Sequence, residues 1–311
     1  MLAARRLAGV AAGSAALGAA WLCQPASQDR LSPGQPIACA VQSRRWVSED
    51  SLVLRFQLPS PSFALGLPVP GHVMVVDAAN NYRPYSPITI DSVGFFELLV
   101  RKYPRGEFSS QLAALQPGDQ ATIVGPVESR YTYHRGATPA LGLIAAGTGI
   151  TPMWQIIQRV LSDPHDTTTV SLVYASRSSD SILLKEELDR AQAAHPDRLT
   201  VCHVISQPGC ATLPPGMRRG RIDESLLQDV LPPPADGSEK SPQRPSGRGN
   251  ETCQLLVSGP EAMLVELCGR RARDGGTYFA PGEEGVAQAR HPALGGTLRR
   301  LGYRADQVKW L

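Results

Sequence analysis

Two separated segments of the chain carry residue types that could hold redox cofactors. The first, Arg83-Pro84-Tyr85-Ser86-Pro87-Ile88, places a cation, an aromatic ring and a hydroxyl close together. An arginine can grip a diphosphate with paired hydrogen bonds, a tyrosine can pack beside a flat ring, and a serine can hydrogen-bond the edge of that ring. We interpret this segment as a candidate flavin site.

A loop further along could complete the diphosphate site. The segment Gly106-Glu107-Phe108-Ser109-Ser110 supplies a glycine and then the start of a helix. Unpaired N–H groups and the helix dipole favour an anion at such a start. Ser109 by itself fits an ordinary helix cap equally well, so the loop indicates a ligand only when it is taken together with Arg83.

The second segment, Gly147-Thr148-Gly149-Ile150-Thr151-Pro152-Met153, joins an apolar run to a helix. Glycines there let the chain turn sharply and let a ligand approach the backbone, and ligands of open parallel sheets bind beyond the carboxyl ends of the strands. The segment Ser258-Gly259-Pro260-Glu261-Ala262-Met263 repeats the arrangement after a later apolar run. Each turn alone is a weak signal, because many strands pass into helices through glycine.

Bulk composition is that of an ordinary globular protein. The 311 residues are 42% apolar and 19% charged, which is enough chain for two domains. The formal charge is +3, and without Arg5 and Arg6 it falls to 29 basic against 28 acidic residues. A near-neutral body gives no case for nucleic-acid binding. The six cysteines form no CxxC pair and have no histidine at metal-site spacing, so we expect buried free thiols and no metal site.

The elements that must position these segments fall into two groups. Over residues 36–136, short alternating runs separated by turn residues predict an antiparallel β-barrel. One short helix is expected at 109–115. The predicted strands of this domain are 51–58, 72–77, 87–91, 95–102 and 121–124.

Residues 138–311 show a different pattern. Apolar runs at 140–146, 168–175, 199–206 and 254–258 alternate with helical segments, one of them at 181–195. This alternation predicts an α/β domain with a parallel sheet and crossover helices. Residues 232–250 are rich in Pro, Ser and Gly and are predicted to form a flexible insertion.

The first 28 residues read as a targeting or anchor segment. They contain no acid, and Arg5 and Arg6 precede an Ala- and Gly-rich run over residues 7–23 that is shorter than the roughly 20 residues of a spanning helix. We expect membrane association at the mitochondrion. A membrane anchor at the endoplasmic reticulum and a cleaved secretory signal remain alternatives.

The order of these motifs resembles the NADH–cytochrome b5 reductase family, within the ferredoxin–NADP reductase superfamily. Residues 83–88 look like its flavin signature, and 147–153 match its Gly-Thr-Gly-Ile-Thr-Pro-Met turn throughout. Val100-Arg101-Lys102-Tyr103 resembles its next flavin strand, with arginine in place of the usual first lysine. The agreement runs from about residue 36 to the closing Val308-Lys309-Trp310.

The resemblance implies a barrel that binds FAD followed by a nucleotide-binding domain, and hydride transfer from NADH to the flavin. Single electrons would then pass to a haem protein such as cytochrome b5. Carried over, Ser86, Thr151 and Ser258 become the candidate catalytic residues. The candidate cofactor-binding residues are Arg83, Pro84, Tyr85, Ser86, Val100, Tyr103, Gly106, Phe108, Ser109, Gly147, Gly149, Thr151, Pro152, Arg177, Asp180, Gly259, Pro260 and Met263.

Two departures from the family pattern bear on the activity. Ser258 stands where the family has a cysteine, and a less polarizable side chain there implies slower hydride transfer or a different donor. Ser181 stands where the family has an acid, with Asp180 one position earlier. An acid favours NADH and Arg177 favours NADPH, so we expect NADH with NADPH as the alternative. Other readings are a non-catalytic flavin- or nucleotide-binding regulator and a reductase with another acceptor, such as a quinone.

Overall fold

A computed structural model describes residues 29–127, 131–207, 213–214, 216–234, 253–269 and 294–311. The predicted targeting segment, Cys23, Cys210 and most of the predicted insertion lie outside these residues. The four described cysteines, Cys39, Cys202, Cys253 and Cys268, are buried and unpaired. No helix among the described residues is both long and apolar enough to cross a membrane.

The first half of the chain forms a six-stranded antiparallel, barrel-like sheet, as the sequence predicts. Its strand order is β4-β3-β6-β1-β2-β5. One helix, α1 (Glu107–Ala114), lies between β5 and β6. The strands are β1 (Pro36–Trp46), β2 (Ser51–Gln57), β3 (His72–Val76), β4 (Tyr82–Tyr85), β5 (Phe95–Arg101) and β6 (Gln120–Val127).

The second half forms a six-stranded sheet in which each neighbouring pair of strands is parallel, which confirms the predicted fold class. Its order is β10-β9-β8-β7-β11-β12. The strands are β7 (Ala140–Ala146), β8 (Thr169–Ser176), β9 (Leu199–Ile205), β10 (Met217–Arg219), β11 (Cys253–Ser258) and β12 (Val308–Trp310). The helices are α2 (Ile150–Ser162), α3 (Lys185–Ala194), α4 (Glu224–Val230), α5 (Glu261–Cys268) and α6 (Gly296–Arg300). The exact domain limits drawn from the sequence stay a prediction.

The predicted positions of some strands are wrong. Residues 87–91 are not a strand; the strand lies earlier, at β4. Pro87 has no N–H to donate, and its carbonyl accepts from the side chain of Gln155 instead of from a neighbouring strand. The strand β1 was not recognised because its second half, Gln42-Ser43-Arg44-Arg45, is polar and lacks clear alternation.

Both predicted helix starts are shifted. Helix α1 begins at Glu107, with Gly106 as its cap, so Ser109 lies inside the first turn. Helix α3 begins at Lys185 rather than at 181, because Leu184 adopts a left-handed backbone with φ of 56°. Leu183 and Leu184 are buried, so the apolar residues that suggested an early helical turn serve the core from a loop.

The core does not stop at the boundary between the sheets. One apolar cluster combines Val53, Val69 and Leu99 of the first half with Leu143 and Ile156 of the second. The interface is therefore packed by side chains from both sheets, which holds the two halves in one arrangement.

Candidate functional site

The flavin segment forms β4 at one edge of the first sheet. Arg83 is exposed, and its Nη1 donates to the carbonyl of Tyr82 at 2.8 Å. Its guanidinium carbon lies 5.7 Å from the ring centre of Phe108 on α1, and the Tyr85 ring stacks on the same ring at 6.3 Å. Strand β4 thus presents a cation and an aromatic ring beside the first turn of α1.

The loop before α1 is closed tightly. The Ser109 hydroxyl donates to the carbonyl of Gly106 at 2.9 Å and accepts from the N–H of Tyr103 at 3.1 Å. A Cβ on Gly106 would lie 2.5 Å from that hydroxyl oxygen. The Ser109 side chain therefore builds the loop, and what this turn can offer a diphosphate is its backbone N–H groups, which have no partner inside the helix.

Two further flavin candidates from β5 and its end differ in access. Val100 is fully buried in the barrel core, so its side chain contacts no ligand and only its backbone is available. Tyr103 is about half exposed. Burial raises the pKa of Tyr85 to about 12, with Tyr103 adding to the shift and Arg83 opposing it. Tyr85 is therefore a neutral phenol at physiological pH.

These residues fit FAD. Arg83 has no carboxylate within ion-pair distance among the described residues, and the Ser86 hydroxyl has no hydrogen-bond partner there. An unpaired arginine beside an open helix N-terminus suits a diphosphate, and a stacked tyrosine with a neighbouring free hydroxyl suits a flat ring with polar edges.

The glycine turns meet where the order of the parallel sheet reverses. From β7 the chain runs through β8 to β10 on one side, and β11 and β12 add on the other. A Cβ on Gly149, after β7, would lie 2.3 Å from the carbonyl oxygen of Ser258, at the end of β11. Gly147 has φ of 55°. Only glycine fits this approach, and such a switch point is where nucleotides bind in open α/β sheets.

The other nucleotide candidates surround this switch point. Thr151 is buried in the first turn of α2, and its hydroxyl donates to the carbonyl of Thr148 at 3.1 Å. Pro152 follows it, also buried. Ser258 is buried, and the Met263 methyl group lies 2.6 Å from where a Cβ on Gly259 would be. Pro260 is exposed and caps α5.

The loop after β8 carries the remaining two candidates. Arg177 is exposed, and its Nη2 donates to Asp50 of the first sheet at 2.9 Å. Asp180 is exposed and accepts from the Ser179 hydroxyl. Ser181, in the family's acid position, is bonded to the backbone of Ser178 at both its N–H and its carbonyl. It closes a cap, so Asp180 is the carboxylate left open to solvent in this loop.

Helix α2 connects the two ends of the site through a residue that the sequence did not reveal. Gln155 is 1% exposed; its Oε1 accepts from the N–H of Gly71 at 2.8 Å, and its Nε2 donates to Pro87 at 2.7 Å. Gln158 donates to Ile88 at 2.9 Å. Thr151 lies one helical turn before Gln155, on the same face. The flavin segment, through Pro87 and Ile88, is therefore hydrogen-bonded to the helix that starts at the glycine turn.

Comparison with known proteins agrees with this geometry. The model of the oxidoreductase FAD-binding domain family matches residues 38–133, and that of the oxidoreductase NAD-binding domain family matches residues 143–268.

Among curated proteins, NADH-cytochrome b5 reductase 1 of Debaryomyces hansenii is 42% identical over 71% of this chain and 72% of its own. The protein of the same name from Eremothecium gossypii is 35% identical over 70% and 72%. Nitrate reductase [NAD(P)H] of Hordeum vulgare is 38% identical over 77% of this chain. The matched region covers 28% of that longer protein.

Among solved structures, the cytochrome b5 reductase domain of Ulva prolifera nitrate reductase superposes with a TM-score of 0.69 at 24% identity. The match covers 90% of this chain and 99% of that one, and it shows the shared fold. Taken with the matches to the two domain families and the identity to curated reductases, these findings place the chain in the NADH–cytochrome b5 reductase family, as a flavoenzyme oxidoreductase whose cofactors are FAD and NADH.

Proposed function

We propose that this enzyme passes electrons from NADH through FAD to cytochrome b5 or a similar one-electron haem acceptor. The observation that carries the proposal is the bonding of Gln155 to Gly71 and Pro87, because it joins the flavin segment to the helix that follows the glycine turn. The names of the curated relatives support the acceptor. Bound FAD would supply the conversion of a two-electron hydride into single electrons.

On the flavin side, Arg83 and the N–H groups at the start of α1 would hold the diphosphate. Tyr85 would pack against the ring, and the Ser86 hydroxyl would hydrogen-bond its edge. These groups need little rearrangement, since Arg83 and Tyr85 already flank the same Phe108 ring. A preformed cradle lowers the entropic cost of ordering side chains on binding.

On the nucleotide side, Gly147, Gly149 and Gly259 would let the dinucleotide approach the backbone at the switch point. Thr151 and Ser258 would lie where the two rings meet, and holding the rings in contact is the chief catalytic task of the chain. Asp180 would accept from a ribose 2′-hydroxyl and repel a 2′-phosphate, so we propose NADH as the preferred donor.

The test is an absorption spectrum of the purified full chain. We expect a yellow protein that NADH bleaches under anaerobic conditions and that then reduces cytochrome b5. Turnover with ferricyanide, an undemanding acceptor, separates an enzyme from a non-catalytic binding module. A protein that stays colourless after addition of FAD contradicts the proposal. Rapid ferricyanide turnover without reduction of cytochrome b5 would restrict the failure to the acceptor, and a soluble quinone is the next acceptor to assay.

We further propose that residues 1–28 attach the enzyme to a mitochondrial membrane. The support is compositional. Two arginines precede an apolar run of small residues, and the segment contains no acidic residue. Fractionation of cells that express the chain with a C-terminal tag tests this proposal. Recovery in the mitochondrial membrane fraction is expected, and recovery in the cytosol would contradict it.

A further inference from the structure

One carboxylate of the first sheet holds two arginines at the domain interface. Asp50 lies in the turn between β1 and β2. Its Oδ2 accepts from Nε and Nη2 of Arg101 at 3.0 and 2.7 Å, and from Nη2 of Arg177 at 2.9 Å. Arg101 ends β5, whereas Arg177 follows β8 of the other sheet. A single oxygen atom therefore binds two guanidinium groups across the interface.

Both arginines lie at the nucleotide end of the parallel sheet. Arg101 Nη1 lies 3.5 Å from the position that a Cβ on Gly147 would take. The Tyr174 hydroxyl donates to the carbonyl of Gly147 at 3.0 Å and accepts from the N–H of Leu183 at 3.3 Å. The Tyr174 hydroxyl therefore ties the turn after β7, which Arg101 approaches, to the loop after β8, which begins at Arg177. Both arginines lie at the edge of the sheet where open α/β sheets bind nucleotides.

Asp50 is held by its own turn independently of Arg177. The hydroxyls of Ser51 and Ser48 donate to its Oδ1 at 2.8 and 3.2 Å. Burial opposes its charge, but the hydrogen bonds from Ser51, Arg101 and Ser48 outweigh that effect and lower the pKa of Asp50. The side chain of Arg177 is 62% exposed, against 12% for Arg101. Arg177 is therefore the partner that can leave.

We propose that Asp50 is a specificity-determining residue, which occupies Arg177 and thereby disfavours NADPH relative to NADH. To bind a 2′-phosphate, Arg177 must break its pair with Asp50, and the phosphate then meets the negative charge of that carboxylate. A ribose 2′-hydroxyl requires neither change. The inference rests on the proposed use of a nicotinamide nucleotide. It adds to Asp180 a second determinant of nucleotide preference, which lies in the flavin half of the chain.

The test is Asp50→Asn in the FAD-loaded full chain. We expect kcat/KM for NADPH divided by kcat/KM for NADH, measured with ferricyanide, to rise about fivefold, the scale of one exposed ion pair. Calorimetry with adenosine 2′,5′-bisphosphate and with 5′-ADP measures the same preference without turnover. The double variant Asp50→Asn/Arg177→Gln should lose the gain, because a double-mutant cycle isolates this pair.

The matched control is Asp91→Asn. Asp91 also bonds an arginine of the second half, Arg159 on α2, at 2.8 Å, but it lies away from the loop after β8. Asparagine suits its left-handed backbone, φ 53°. We expect the nucleotide preference of this variant to match that of the wild type. If Asp50→Asn does not fold, Asp50→Ser removes the charge while keeping a residue that favours turns.

Two results overturn the inference and leave the proposed function standing. One is an unchanged nucleotide preference in Asp50→Asn. The other is an equal loss of kcat/KM with both nucleotides, which would show that Asp50 only stabilises the interface. A wild-type protein that turns over neither NADH nor NADPH defeats the proposed function instead. In that case, calorimetry with the two adenosine phosphates still decides whether Asp50 controls recognition of a 2′-phosphate.

Discussion

At the scale of single residues, the proposed flavin site includes an arginine that forms no ion pair with any residue that the structure describes. Arg83 is exposed and bonds only the carbonyl of Tyr82 within the described chain, apart from its contact with the Phe108 ring. The stability of the fold gains little from such a side chain. We therefore expect loss of Arg83 to lower flavin affinity more than it lowers the stability of the fold.

We predict that Arg83→Ala lowers FAD affinity by about tenfold to a hundredfold, because a charge-assisted hydrogen bond contributes about 1.5–3 kcal/mol. Arg83→Lys keeps the charge without the planar guanidinium, so its FAD affinity should lie between those of the wild type and Arg83→Ala. The measurements are flavin titration and the melting temperature of the flavin-free protein. The exposed Arg218 on β10 gives the control variant Arg218→Ala, expected to bind FAD normally. A drop in apoprotein stability equal to the drop in affinity would contradict this separation.

A second residue, His203, is buried although its ring nitrogens make no hydrogen bond within the described residues. It is 5% exposed on β9. Burial lowers the pKa of His203, and the nearby Asp189 and Lys185 of α3 act in opposite directions. In the unfolded chain the imidazole of His203 binds a proton near pH 6.5, whereas in the folded chain it stays neutral at that pH. The stability is therefore full above about pH 6.5 and falls as the pH drops toward the folded pKa.

We predict that His203→Leu stabilises the protein by about 1 kcal/mol at pH 7, since it removes buried polar atoms that lack partners. The gain should grow between pH 7 and pH 5.5, because leucine takes up no proton on unfolding. Urea denaturation at several pH values measures both effects. His134→Gln, at an exposed site, serves as the control. A stability difference that stays constant with pH would show that the lowered pKa is not the cause.

At the scale of elements, helix α2 contacts both halves of the proposed site. Its first turn follows Gly149, and its middle carries the side-chain amides that bond the flavin segment at Pro87 and Ile88. A helix is rigid over this length, so the distance between the two half-sites is set by the spacing of Thr151 and Gln155. Gln155 is thus a positioning residue that acts through the backbone of Gly71 and Pro87.

We predict that Gln155→Leu destabilises the protein by about 2–4 kcal/mol, because it leaves two buried backbone groups without partners. Flavin reduction by NADH should slow more than FAD or NADH affinity falls, since the rings lose their alignment. Stopped-flow flavin reduction and denaturation measure the two effects. Gln158→Leu is the control, because Gln158 is half-buried and makes one bond across the interface. Equal effects of both variants would contradict a special role for Gln155.

The elements also show what the sequence could and could not predict. Alternation and apolar runs predicted both sheets, and the glycine motifs predicted the strand-to-helix turns after β7 and β11, because these signals are local. The start of α3 was wrong because a left-handed residue, Leu184, is not visible as a break in an apolar pattern. Gln155 and Asp50 could not be found, because each is a polar residue in an ordinary local setting whose partners come from distant parts of the chain.

At the scale of the whole molecule, the two sheets share one core. Besides the apolar cluster, Tyr133 connects them: its N–H donates to the carbonyl of Val69 at 2.6 Å, and its hydroxyl donates to Asp166 and lies 3.0 Å from the Thr168 hydroxyl. Asp166 is 3% exposed. Separating the halves would expose this shared apolar cluster and the buried Asp166 to water, so we expect the halves to unfold together.

We predict one cooperative unfolding transition, followed identically by flavin release and by far-ultraviolet circular dichroism. Tyr133→Phe should lower its midpoint, because the buried Asp166 loses a donor at a cost of about 2–3 kcal/mol. Tyr303→Phe removes a bond to the carbonyl of Pro232 in a second apolar cluster, which contains no residue of the first half of the chain. Its smaller loss, about 1 kcal/mol, should still appear in the flavin signal. A flavin transition that Tyr303→Phe leaves in place while the circular dichroism shifts would mean that the sheets unfold separately, and the shared core would then not couple the two cofactor sites.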